Sequence, residues 1–362
     1  MDGASGATFA RLAAAEATAS PFQGAGWITS YLDAHQAIDD FRLIEIGDEE
    51  GNALLLPLHI LRCNGASLAV KVGGAHASFF VPLSIGDVSG WPSQALADAL
   101  IMAGEQAGID AFLLADGPLE WGGRPNPLVQ MPHQSAPSSG AGLSLGADAE
   151  AVLARLMDRD DRKKQRYKRR KLAESGCLAA GWTPCDATLD AALACFFDWK
   201  AQQFAALGAP DPFAAPDIRA FIRHACCRPE PAIRLFVLTL DARPAAVIGV
   251  ARSGGHVSGM FTAYDPTPAI SRFSPGDIMM ADFIQTLCTE GFSAFDLGVG
   301  EARYKAHFCP EPIPLVDIAV PVTTLGRITS AGWLMARRMK RVIKQNPAAF
   351  GLARKLRRAF AG

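Results

Sequence analysis

Along this chain, short apolar runs bounded by turn chemistry alternate with longer stretches whose apolar residues recur at helical spacing. Gly26–Asp40 reads as a helix, and strands follow at Phe41–Gly47, Ala53–Arg62 and Ser67–Gly73. The turns between them are Asp48–Asn52 and Asn64-Gly65, residue types that accept the backbone angles of tight hairpins. After a loop at Gly74–Gly90, Trp91–Ala107 is a helix with Pro92 near its first turn, Gly108 ends it, and Ile109–Ala115 is a strand. Asp116–Gly142, rich in Pro, Gly, Ser and Asn, reads as a linker or long functional loop.

Beyond it, Asp148–Ser175 is expected to form one helix capped by Asp148. A short strand at Cys177–Trp182 and helices at Leu189–Leu207 and Pro216–Cys227 come next. Then the first pattern returns. Ile233–Leu240, Ala245–Ser253 and His256–Tyr264 are strands separated by Asp241–Pro244 and Gly254-Gly255. A Pro-rich loop, a helix at Gly276–Glu290, a stop at Gly291 and a strand at Phe292–Leu297 complete it. Ile109-Asp110-Ala111-Phe112 aligns with Phe292-Ser293-Ala294-Phe295. A repeat of this length points to a duplicated domain, not a solenoid. The expected organisation is a flexible stretch 1–20, two similar domains at 21–147 and 148–325, and a tail at 326–362.

Composition changes this picture in two places. The net charge of −1 names no polyanionic partner for the whole chain. Yet no Asp or Glu follows Asp317, while ten Lys and Arg do. Within Ser330–Arg358, Trp333, Leu334, Met339, Val342 and Ile343 alternate with Arg337, Arg338, Lys340, Arg341 and Lys344. That is an amphipathic helix, suited either to anionic lipid or to packing on its own domain. The second basic run is Arg155–Lys171. The eight Cys lack C-x-x-C spacing and read as reduced, buried side chains. The seven His show no ligand spacing, so no metal site is expected. Neither a secretory signal nor an apolar stretch of roughly 18–20 residues is present. The expected location is the cytoplasm.

Chemistry concentrates in Phe295–Phe308, where a strand enters a turn with Gly298 and Gly300 and then a short helix. The turn delivers Tyr304, whose phenol can donate a proton, and Lys305, whose ammonium can hold an anion. Asp296 offers a carboxylate, as a base or as a partner of the turn. Gly298, Gly300 and Glu301 are the candidate substrate contacts. Gly298-Val299-Gly300 also begins a dinucleotide-binding pattern, but Arg303 occupies its third glycine. Upstream, Arg272, Ser274 and Gly276 stand at a helix start, where backbone N–H groups and a guanidinium suit phosphates.

Taken together, these segments resemble the acetyltransferase domain of CelD/BcsL type, in the GNAT superfamily and related to FemAB-like transferases. The matching residues are the Arg243–Ala246 hairpin, the Ser274-Pro275-Gly276 helix entry, Phe295–Gly300 and the Tyr304-Lys305 pair. Lys168–Gly176, Pro21-Phe22-Gln23 with Trp27, and Asn126-Pro127-Leu128 extend the likeness. The resemblance implies an α/β (α+β) fold of tandem GNAT-like domains, each a mixed, largely antiparallel sheet flanked by helices. It implies an acyltransferase for groups other than aminoacyl groups, with acyl-CoA as co-substrate. The acceptor is an amine on a small molecule or glycan precursor in exopolysaccharide, cellulose or envelope biosynthesis. On this reading Arg272, Ser274 and Gly276 bind the donor, and Tyr304, Lys305 and Asp296 are catalytic. The usual Q/R-x-x-G-x-G/A phosphate loop is absent: Arg272–Asp277 reads Arg-Phe-Ser-Pro-Gly-Asp. Two alternatives stay open, an aminoacyl-tRNA-dependent transferase using Arg162–Lys171 and a non-catalytic partner in polysaccharide assembly.

Overall fold

The computed structural model describes residues 19–346 and, before them, Ala10, Ala13 and Ala15. The expectation for residues 1–20 thus lies almost wholly outside the described residues, as does the tail beyond 346. The described chain divides into two units, one of residues 19–140, 299–301 and 312–346, the other of residues 141–298 and 302–311. Both are mixed α/β structures in which helices flank a mixed sheet.

The first unit opens with helix α1 (Ala25–His35). Strands β1 (Phe41–Gly47), β2 (Ala53–Cys63) and β3 (Ala66–Lys71) form an antiparallel meander. The Asp48 carboxylate closes its first turn by accepting the Glu50 and Asn52 N–H groups at 3.0 and 2.9 Å. β4 (Leu83–Ile85) pairs with β2. Helix α2 (Ser93–Ala107) ends at Gly108, in the left-handed region at φ 65°, and leads into β5 (Ala111–Pro118), parallel to β3. Leu96 and Leu100 of α2 pack on Leu56, Phe112 and Leu114 of the sheet.

Asp116–Gly142 is folded, contrary to the linker expectation. It contains the hairpin β6 (Glu120–Trp121) and β7 (Arg124–Pro125), then β8 (His133–Ser135) and the start of β9 (Gly140–Ser144). Asn126 holds the segment together. Its amide donates to the Pro118 carbonyl at 3.0 Å, and its side-chain oxygen accepts the Leu128 N–H. Turn-rich composition here marks tight bends tied by side chains, not mobility.

In the second unit the expected single helix Asp148–Ser175 is two, α3 (Ala149–Leu156) and α4 (Arg159–Ala173). Asp148 caps the first as expected, and Asp158 caps the second by accepting the Asp160 and Asp161 N–H groups. Asp158, placed inside the expected single helix, is therefore a helix start. β10 (Leu178–Trp182), α5 (Ala187–Leu207) and α6 (Pro216–Cys226) follow. Cys185 and Cys227, expected to be reduced, form a disulfide across 42 residues. Their spacing in sequence is uninformative because folding of α5 and α6 brings them together.

The repeated pattern is β11 (Arg234–Leu240), β12 (Arg243–Ser253), β13 (His256–Tyr264), the turn-length α7 (Pro268–Ser271), α8 (Pro275–Thr289) and β14 (Ala294–Val299). Its sheet runs β10-β11-β12-β13-β14-β9, with β15 (Glu311–Ile313) beyond β9. Helix α9 (Arg303–Phe308) lies between β14 and β15 in the chain. On one face α8 buries Met279, Phe283 and Ile284 against Phe236, Val257 and Phe295. On the other, Phe196 of α5 packs 4.4 Å from the Phe261 ring, centroid to centroid.

The chain then returns to the first unit. β16 (Leu315–Pro321) inserts between β5 and β8, giving the order β1-β2-β3-β5-β16-β8. Helix α10 (Thr324–Gln345) packs on it, with Gly326 and Ser330 buried and Trp333 against the cluster of Ala66, Leu68, Ala111 and Leu113. Arg337 of α10 reaches Asp317 Oδ2 at 2.7 Å and also pairs with Asp116, which Lys71 meets at 3.0 Å. Burial works against the Asp116 carboxylate, but Lys71 and Arg337 outweigh it and hold its pKa below the ordinary value. Burial draws the Lys71 ammonium down despite Asp116.

Candidate functional site

The second sheet forks. β13 and β14 run parallel but share only three residue pairs, His256↔Ala294, Val257↔Phe295 and Ser258↔Asp296. Past that point β13 also bulges against β12. Val250 opposes Gly259 and Gly249 opposes Phe261, so Met260 is the extra residue. Gly249 is needed there, since a Cβ would come within 2.1 Å of the Phe261 ring.

Asp296 fastens the closed end of this fork. It is fully buried, and its Oδ2 accepts from Ser258 Oγ at 2.6 Å and lies 2.8 Å from His256 Nε2. Its Oδ1 accepts the Gly298 N–H at 2.6 Å. One carboxylate thus ties β13 to β14 and shapes the turn that leaves β14.

At the far end of β13 the chain reaches the start of α8. Ser274, its N-cap, sits in the left-handed region at φ 54°. Lys168 of α4 donates to Ser274 Oγ at 2.7 Å, and Gln165 donates to the Asp277 carbonyl at 2.9 Å. Arg169 pairs with Asp282 further along α8. The inner face of the basic helix α4 is therefore docked on α8 beside the candidate donor residues. Arg272 is exposed and stacks 4.6 Å from the Phe273 ring centre. Gly276 lets Tyr264 approach, because a Cβ there would lie 3.3 Å from the Tyr264 ring.

The end of β14 and the turn after it use both expected glycines, Gly298 at φ 70° and Gly300 at φ 103°. Helix α9 then presents Tyr304 and Lys305. Tyr304 keeps 41% of its surface exposed, while burial around it, aided by Cys309, pushes the phenol up to about 12. Burial pushes the Cys309 thiol up as well; Asp296 and Glu311 act in the same direction and Lys305 opposes them. Cys309 is thus the common electrostatic neighbour of Asp296, Tyr304 and Lys305. Glu301 and Gly300 group with the first unit instead. Glu301 accepts from Ser138 Oγ at 3.2 Å and pairs with Lys344 at 3.1 Å, and the Gly300 N–H donates to the Ser139 carbonyl at 3.0 Å. Burial raises the Glu301 pKa, but the bonds from Lys344 and Ser138 bring it below the ordinary value.

Sequence reasoning missed His256, Ser258 and Cys309, and named Lys168 only as part of the basic helix, not beside Ser274. Two of them carry a readable signal: His256 and Ser258 are polar residues two apart, on one face of the strand's first half. Cys309 carries none, since a buried thiol looks like any small core residue.

The second unit thus carries a forked parallel strand pair, a helix start with Ser274 at its N-cap position, and a glycine turn followed by Tyr304 and Lys305. Residues 159–306 match the family model of the acetyltransferase (GNAT) domain, which supports acyl transfer as the class of chemistry. No curated protein sequence matches the chain. Among solved structures it is similar to FemX, with a TM-score of 0.55 at 12% identity, over 83% of this chain and 93% of that one. The C-terminal domain of a putative lysylphosphatidylglycerol synthetase from Agrobacterium fabrum matches with a TM-score of 0.52 at 15% identity, over 91% of this chain and 96% of that one. A conserved protein of unknown function from Bacteroides thetaiotaomicron also gives 0.52, at 11% identity, over 88% and 97%. At such identities these likenesses speak to fold.

Proposed function

We propose that the second unit is an N-acyltransferase of CelD/BcsL type, moving an acyl group from acyl-CoA to an amine on a glycan precursor in exopolysaccharide, cellulose or envelope biosynthesis. The observation that carries this reading is the fork. β13 and β14 are fastened at Ser258/Asp296 and are unpaired beyond it, next to a bulge at Met260. A strand edge without a strand partner suits an extended amide-bearing arm, which can hydrogen-bond as a strand does. Ser274, Arg272 and Lys168 supply polar and cationic groups for the donor phosphates, beside Gly276 at the helix start.

In this reaction the amine lone pair attacks the thioester carbonyl carbon, a C–N bond forms, and the C–S bond breaks. Tyr304 holds its proton at neutral pH, so it is in donor form. It gives that proton to the departing thiolate and regains one from the acylated nitrogen. Lys305 stabilises the developing oxyanion. Asp296 acts as a positioning residue, and Gly298 shapes the turn that carries Tyr304 and Lys305.

Calorimetry with acetyl-CoA tests the donor. Wild type and Tyr304→Phe should bind alike, and Lys168→Ala about tenfold more weakly, the loss of one charge-assisted hydrogen bond. Absence of binding to all three would reject acyl-CoA as donor.

One observation favours a second reading. The outer face of α4 exposes Lys163, Lys164, Arg166 and Arg170, a density of charge suited to a polyanion. FemAB-like transferases, to which the resemblance extends, take aminoacyl-tRNA. Binding of tRNA that weakens linearly in log salt and is lost on neutralising these four residues would favour this donor.

A further inference from the structure

Helix α10 has two faces, and the apolar one points outward. Gly326, Ser330, Trp333 and Arg337 face the first sheet. On the opposite side Leu325, Ile328, Met335, Met339 and Val342 form a stripe at three- and four-residue spacing, with Gly332 occupying the step between Ile328 and Met335, which are 68% and 64% exposed. Arg327 and Arg338 flank this stripe on one side and Lys340 on the other, all exposed. The helix contains no acidic residue.

We propose that the outward face of α10 is a docking surface for an anionic lipid bilayer. The ordinary reason for an amphipathic helix, burial of its apolar stripe on its own domain, does not apply, because Trp333 and the Arg337 ion pairs already anchor the other face. A second copy of the chain fits poorly. Two such helices would bring only cations to the edges of a shared seam, and the exposed Gly332 leaves a gap in the middle of the stripe. Anionic headgroups complement the flanking Arg and Lys, and the acyl region takes the Met, Ile and Val side chains. The Arg337 pairs with Asp116 and Asp317 fix the helix on the first unit while it lies in the interface. This inference is independent of the acyl donor.

The test is co-sedimentation of the full chain with vesicles of equimolar phosphatidylglycerol and phosphatidylcholine, or of phosphatidylcholine alone. Wild type should pellet with the anionic vesicles, less so as salt rises, and hardly with the neutral ones. Met335→Glu/Met339→Glu should weaken pelleting about tenfold or more, and Arg338→Gln/Lys340→Gln by several-fold. Both pairs are exposed, so the fold should be retained, as circular dichroism would verify. Should the Met pair fail to fold, the Arg/Lys pair carries the test alone. The proposal fails if wild type stays in the supernatant at low salt, or if the folded variants pellet like wild type. It also fails if wild type is a concentration-dependent dimer that Met335→Glu/Met339→Glu dissociates, which would assign the stripe to a second copy.

Discussion

Both units contain the same fork, and they close it differently. In the second unit His256 and Val257 pair with Ala294 and Phe295; in the first, Leu68 and Ala69 pair with Ala111 and Phe112. One step further, Ser258 and Asp296 face each other in the second unit, and Val70 and Leu113 stand at the matching positions of the first. A polar fastening of His, Ser and Asp in one unit is thus an apolar one of two Leu and a Val in the other. Trp333 of α10 packs over the apolar version, and beyond it Lys71, Asp116, Asp317 and Arg337 tie the strands by ion pairs. The first fork is stabilised shut by its own chain. The second keeps hydrogen-bonding groups at its base and a bulge beside its opening.

The largest expected effect tests the ionic closure. Arg337→Ala leaves the buried Asp317 and the largely buried Asp116 with Lys71 as their cation, and should destabilise the first unit by about 3–5 kcal/mol in urea unfolding. A loss under about 1 kcal/mol would show that the ions do not close this fork. The pH dependence has a definite sign. The folded pKa of Asp116 lies below its ordinary 3.8, so its stabilisation is complete above that value and is lost as pH falls through the folded one. Removing Arg337 weakens that depression, so the acid-unfolding midpoint of Arg337→Ala should move to higher pH.

Next is the polar fastening. Asp296→Ala removes the partner of Ser258, His256 and the Gly298 N–H, and should cost about 2–3 kcal/mol by the same denaturation measurement. The exchange His256→Leu/Ser258→Val/Asp296→Leu gives the second unit the residues of the first. Because apolar replacement of a whole buried polar group is often neutral, stability should stay within about 2 kcal/mol of wild type while acetyl-CoA binding disappears. Retained binding would separate the polar base of the fork from its function. Lys168→Ala is the mildest change, costing about 1 kcal/mol of stability, with its main effect on donor affinity.

Much of this was legible in the residues. The two meanders, their turns and the glycines that stop α2 and α8 follow from local chemistry, and β13 spans His256–Tyr264 as the pattern predicts. The tyrosine, lysine and glycines of the turn were visible for the same reason, since a strand running into Gly-x-Gly and a short helix is a local event. What escaped was non-local. β16 is a strand whose partners lie far away in sequence, and nothing near Leu315–Pro321 names β5 or β8. The Cys185–Cys227 bond, the Asp296 hydrogen bonds to β13 and the convergence on Cys309 depend on the assembled fold. The break between α3 and α4 was local yet missed, because an Asp within a charged run can be a solvated helix residue or a cap.

The return of the chain at β16 has a consequence for the ribosome. The second unit is built from residues 141–298 and 302–311, so its sheet can be completed while the C-terminal stretch is still being made. The first unit, although synthesised earlier, must wait with the edge of β5 unpaired until β16 emerges. Unpaired edges invite wrong partners, so the half of this protein that is made first is the half that finishes last and stands longest in need of protection.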